Sequence, residues 1–205
     1  KRNPDDPTAS LSLAQLAQDA KAPDAARRSY KSILARHPDE LTALLQLAAI
    51  EAREKNAEAM VARLKQASEA HPTALEPRLR LAGYYIGTGS PDRVKALFAP
   101  LDDLQRRAPS VLELTGLAQL ALQENTDALA TLQQLVNAKP GSAQNHFLLA
   151  TAAGKTGDAL KARQELAEAL RLDANHVPAL INLARIAIGE GAQEQAGQYL
   201  ATLLE

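Results

Sequence analysis

The hydrophobic pattern of this chain repeats every 34 residues. Ala14, Ala48, Ala82, Gly116, Ala150 and Ala184 form a column of tiny residues at that interval. One position ahead stand Leu13, Leu47, Leu81, Thr115, Leu149 and Leu183. A third column is Ala26, Met60, Val94, Ala128, Ala162 and Ala196. A fourth holds large apolar residues: Tyr30, Leu64, Phe98, Leu132, Leu166 and Leu200. The fifth is Ile33, Ala67, Leu101, Leu135, Ala169 and Leu203. Within a row, apolar residues recur three and four apart, as in Leu41, Leu44, Leu45, Leu47 and Ala48, which is the spacing of a helix with one buried face. Each row therefore predicts two amphipathic helices.

Turn chemistry separates the two helices of a row. The candidate turns are Lys21 to Asp24, Lys55-Asn56, Gly89 to Asp92, Glu124 to Asp127, Gly157-Asp158 and Gly191-Ala192. They offer Gly for leaving a helix and Ser, Asn, Thr or Asp for capping the next. Ser90-Pro91 reads as an N-cap followed by proline at the first helical position. Between rows stand Pro38, Pro72, Pro109 and Pro140, with Ala174 in the fifth row; a proline there ends one helix before the next begins. Pro109 comes three residues later than the interval requires, where Arg106 stands instead. The flanking columns keep register, so the second helix of row three is expected to run about one turn longer.

The columns have a physical reading. A tiny residue lets a neighbouring helix approach closely, and the large residue of the fourth column fills the space beside it. One hairpin cannot bury both of its faces, so stacked neighbours complete the core. The expectation is an all-α protein: an α-solenoid wound as a right-handed superhelix of about six hairpins and twelve helices. The rows fall roughly at 7–40, 41–74, 75–108, 109–142, 143–176 and 177–205.

Composition agrees. Aromatics make up 3% of the chain against 46% hydrophobic residues overall, so Ala and Leu must do the packing, which favours close helix contact over a β-sandwich. The net charge of −1 leaves no electrostatic footprint for nucleic acid or anionic lipid. With no cysteine, disulfides, thiolate catalysis and cysteine-based zinc sites are excluded. No apolar run reaches the ~20 residues of a membrane-spanning helix, and direct membrane insertion is not expected. The chain opens at Lys1 and stops inside an apolar pattern at Leu203-Leu204-Glu205, and is expected to be a fragment of a longer protein.

These residues resemble the tetratricopeptide repeat, a 34-residue helix–turn–helix. Row three gives Leu81, Ala82, Gly83, Tyr84, Tyr85 and Phe98; row five gives Phe147, Leu148, Leu149, Ala150, Gly157-Asp158, Ala162, Leu166 and Ala169. A narrower resemblance lies in 74–85 (ALEPRLRLAGYY) and 111–116 (VLELTG). These segments are similar to the bacterial lipoproteins of PEP-CTERM/exosortase systems that accompany exopolysaccharide production. That likeness implies an envelope-associated or periplasmic setting, with a cytoplasmic one as the alternative.

The repeat family implies protein binding in a concave groove lined by the first helix of each hairpin. The matching column here is Leu11, Leu45, Leu79, Glu113, Phe147 and Ile181. Beside it lie Gln15, Gln46, Arg53, Arg80, Leu114, Leu117, Leu148, Asn182, Arg185 and Ile188, so the groove is mixed with an apolar strip. The candidate ligand-binding set is Leu45, Leu79, Arg80, Phe147, Leu148, Ile181, Asn182 and Arg185, suited to a peptide or protein segment and to no cofactor. Packing between adjacent first helices is the competing reading of the leucines. The Lys and Asn pattern with which some family members clamp a chaperone's terminal carboxylate is missing from rows one and two.

Chemistry is otherwise absent from the pattern. His37 and His71 share one repeat position, just before the closing proline, which repetition explains better than metal binding. Gly87-Thr88-Gly89 lacks the third glycine and preceding strand of a phosphate loop. No nucleophile, base and orienting group can be assembled. A second role remains open, a spacer or self-association module with an empty groove, forming a homodimer through its terminal repeats.

Overall fold

The computed structural model describes residues 7–19 and 22–203, and among these it is entirely helical. Lys21 of the first turn, and Leu204 and Glu205 at the C-terminal edge, lie outside the described residues. Two compact units divide after Tyr84.

The first unit holds α1 (Thr8–Asp19), α2 (Pro23–Arg36), α3 (Leu41–Arg53), α4 (Ala57–Ala70) and α5 (Leu75–Gly87) as far as Tyr84. α1–α2 and α3–α4 form antiparallel hairpins, and α2 packs on α3. Ala14, Ala26, Tyr30, Ile33, Ala43, Leu47 and Ile50 make one continuous core.

The second unit continues with α6 (Asp92–Phe98), α7 (Asp103–Arg106), α8 (Pro109–Ala121), α9 (Asn125–Ala138), α10 (Ala143–Lys155), α11 (Ala159–Leu172), α12 (Val177–Gly189) and α13 (Gln193–Ala201). Three hairpins, α8–α9, α10–α11 and α12–α13, stack through α9 on α10 and α11 on α12. One cluster joins α8, α9 and α10 through Leu112, Leu132, Leu135, Leu148 and Leu149. A second joins α10, α11 and α12 through Ala150, Leu166, Ala169, Ala179 and Leu183.

The sequence columns are the cores of these stacks. Of their described members, all are buried except Leu13 and Leu200, which are exposed, and Met60, Thr115 and Leu203, which are half-buried. The tiny-residue column works as close approach. At Gly116 an added methyl carbon would lie 2.6 Å from Leu132 Cδ2 and 2.7 Å from its Cγ, inside van der Waals contact.

The hairpin turns share one backbone device. Lys55, Gly89, Gln123, Gly157 and Gly191 all have positive φ, between 60° and 87°, and recur every 34 residues. The next residue's N–H bonds back five positions, as in Asn56 to Glu51 O (2.9 Å), Glu124 to Gln119 O (2.9 Å) and Asp158 to Ala153 O (2.9 Å). This is the left-handed closure that satisfies the last helical carbonyls. Rows two and four use it without the glycine that favours it. Gln123→Gly is therefore expected to stabilise the protein by about 0.5–1 kcal/mol, read as a raised denaturation midpoint.

Row three departs from expectation. Its second helix is not longer but broken. α6 has 7 residues, where α2, α4, α9 and α11 each have 14. Pro100 lies in what would be the helix interior, where it removes an N–H and clashes with the preceding turn. The chain restarts at Asp102, whose carboxylate accepts from Gln105 N (2.7 Å) while Gln105 Oε1 accepts from Asp102 N (3.2 Å). That reciprocal cap starts the short α7. Leu101 falls outside both helices yet stays buried, so the column survives the break. α6 begins at Asp92 with Pro91 as its N-cap, one residue later than Ser90-Pro91 predicts.

Candidate functional site

The first-helix strip of the second unit runs over α8, α10 and α12. Glu113, Leu114 and Leu117 on α8 are half-buried, as is Phe147 on α10. On α12 the strip opens: Ile181 is 41% exposed and Ile188 61%, with Arg185 exposed between them. Residues 177, 181, 185 and 188 fall along one face at roughly 100° per residue. The arrangement offers an apolar strip with a guanidinium beside it. At the end of α12, Glu190 bonds to Arg163 of α11, and that guanidinium holds its carboxyl below the ordinary carboxylate range.

The candidate set does not sit together. Leu45 and Leu148 are buried and present no surface to a ligand. First helices of a stacked hairpin touch both their own partner and the next row, so two of their faces are inside. Leu79 is half-buried. Arg80 is spent within its unit, donating to Leu45 O (3.2 Å) and Glu76 Oε1 (2.6 Å). Asn182 Nδ2 donates to Pro178 O one turn back (2.8 Å). Phe147 packs against both core clusters of the second unit and against the His176 ring, with centroids 5.4 Å apart; it is as much a core residue as a surface one.

Sequence reasoning missed a polar anchor. The column Leu44, Arg78, Leu112, His146 and Leu180 is leucine in alternate rows, and all five residues are buried. Arg78 Nη1 donates to Pro72 O (3.0 Å), and His146 Nε2 bonds to Pro140 O (2.9 Å). Each ties down the carbonyl of the proline closing the previous row. His146 Nδ1 also meets Glu165 Oε2 at 2.6 Å, which ties α10 to α11. Asn145 Nδ2 adds a bond to Lys139 O (3.1 Å). Two polar residues in a leucine column were the readable signal.

Also unforeseen is a cavity of about 850 Å³ flanked by α6, α7, α8 and α9. Its apolar floor includes Val94, Phe98, Val111, Leu112, Ala118 and Leu122. On α8 these positions lie on the face away from Glu113, Leu114 and Leu117, so the cavity is separate from the strip. α6, which stops at Phe98 ahead of Pro100, and the short α7 that follows form one of its walls. The missed signal was Pro100.

Among the described residues no group of three His, Asp or Glu side chains could hold a metal, and no helix is long and apolar enough to cross a membrane.

The fold is that of a helical-repeat protein of the tetratricopeptide class. Residues 111–142, covering α8 and α9, match the family model described as tetratricopeptide repeat. No curated protein sequence matches the chain. Among solved structures, the fold is shared with PilW, described as a widely conserved type IV pilus biogenesis factor (TM-score 0.78, 20% identity, 96% of this chain and 91% of that one). It is shared with PilF of Pseudomonas aeruginosa (TM-score 0.76, 15% identity, 94% and 87%). YrrB, described as a tetratricopeptide-repeat protein with an unusual peptide-binding site, has a TM-score of 0.72 at 15% identity over 88% and 93%. The family model covers one hairpin of this chain, and the solved structures share its fold.

Proposed function

We propose that this chain is a non-catalytic protein-interaction scaffold that holds a peptide or protein segment on the first-helix strip of its second unit, without a cofactor. The observation that carries this reading is the exposed apolar face of α12, where Ile181 and Ile188 flank Arg185. Exposed apolar side chains gathered on one helix face, rather than scattered, mark an interaction surface. The peptide-binding description of YrrB is consistent with it. An envelope-associated, exopolysaccharide-linked setting rests on the resemblance of segments 74–85 and 111–116, and fractionation of the native cells tests it.

Peptides selected from a displayed library against the wild-type chain are expected to lose tenfold or more in affinity on Ile181→Asp with Ile188→Asp, a loss of about 1.4 kcal/mol. Both side chains are exposed, so the melting temperature should hardly change. Selected peptides that bind the double variant unchanged, or a library that yields none, overturn the reading.

One observation favours a second reading, self-association. Leu200 is 43% exposed at a column position whose five equivalents are buried. A homodimer covering it would show in sedimentation velocity as a concentration-dependent shift that Leu200→Glu removes.

A further inference from the structure

We infer that the cavity flanked by α6, α8 and α9 receives an amphipathic helical segment of a partner protein, acidic in its first turn and basic in its last. Size comes first. The α8 wall of the cavity runs from Val111 to Leu122, about 17 Å at ~1.5 Å per residue, the length of about three helical turns. The helix laid there would lie between α6 and α9, on the floor formed by α8.

Charge gives the direction. α6 runs through α7 into the start of α8, so the end of α6 and the beginning of α8 lie together; Arg106 of α7 donates to Ala99 O (2.9 Å) and fixes that end. The turn at 122–124 places the start of α9 beside the end of α8, at the other extreme. Asp92, Glu124 and Asp127, with Lys95 one turn on from Asp92, therefore give one end of the cavity a net negative charge, and Arg106 and Arg107, with Asp103 3.9 Å from Arg106, give the opposite end a net positive one. Gln119 lines the cavity as well, and its Oε1 is buried without a hydrogen-bond partner among the described residues. The acidic end thus also offers an unsatisfied acceptor. A partner helix with basic residues in its last turn and acidic ones in its first meets both ends with opposite charge. Such a helix is itself favoured by its own dipole. It would lie parallel to α8.

The test uses two synthetic helices of about four turns, equal in composition and apolar face. One carries Glu in its first turn and Lys in its last; the other has these exchanged. Fluorescence anisotropy with the full chain should show the first binding at least tenfold more tightly, the difference shrinking as salt screens the charges. Thr131→Trp, placed at a half-buried lining position of α9, should abolish binding while circular dichroism stays unchanged. Arg107→Glu with Glu124→Lys and Asp127→Lys should invert the preference, a gain that misfolding cannot produce. Equal affinity for both peptides, binding indifferent to Thr131→Trp, or no binding of either up to about 1 mM overturns the proposal. Because these residues lie on the face of α8 away from the first-helix strip, the outcome is independent of the Ile181 and Ile188 experiment.

Discussion

Leu132→Ala is expected to destabilise the second unit by about 3–5 kcal/mol, the upper range for a buried leucine. Leu132 has no solvent exposure and lies in the cluster shared by α8, α9 and α10. Opposite it stands Gly116, which has no side chain to relax into the space. The same pair makes a sharper test. Gly116→Ala alone gains up to about 1 kcal/mol of helix propensity. It also drives a methyl into Leu132 Cγ and Cδ2, an overpacking that costs about 1–3 kcal/mol. The net effect should be destabilising. In the Leu132→Ala background the clash is gone, and Gly116→Ala should become stabilising. Chemical denaturation of the four proteins of this cycle measures the reversal. Additive effects would mean that the contact is not the tight one described.

Phe147→Ala should cost about 3 kcal/mol, the low end for a phenylalanine because the ring is half-buried. The cost should not be confined to one hairpin. The ring touches the α8–α10 cluster and the α10–α12 cluster alike, so its loss weakens the interface that makes neighbouring rows unfold together. Denaturation should broaden or split, with the slope falling as cooperativity is lost. A uniform shift with the slope unchanged would place Phe147 in one cluster only. The result also bears on binding experiments: a weakened partner after Phe147→Ala would report lost packing as much as lost contact, which is why Ile181 and Ile188 are the residues to change first.

The periodic part of this fold was legible in the sequence because it depends on side-chain size at a fixed interval. Ala48, Leu64 and Ala67 could be assigned to the core without coordinates, since neighbouring rows impose the same requirement. Two things were not legible. Gln123 takes a left-handed turn conformation with neither Gly nor Asn to announce it; only its distance from Gly89 and Gly157 marks the place. Pro100 was overshadowed by the prolines that close rows, and the late Pro109 drew attention to the wrong end of the helix. The candidate site was less legible than the fold. Leu45 and Leu148 obey the helix period of a groove residue, but a first helix flanked by three others has little free surface, and period alone cannot say which apolar face is the free one.

The alternation in the column from Leu44 to Leu180 bears on assembly fidelity. Nearly identical repeats invite hairpins to stack on the wrong neighbour or to exchange between chains. Arg78 and His146 each need a particular carbonyl, and a hairpin shifted by one row would bring a leucine to that carbonyl and strand a buried polar group elsewhere, costing several kcal/mol. The two residues thus act as keys cut into an otherwise uniform lock, giving rows three and five an address along the chain.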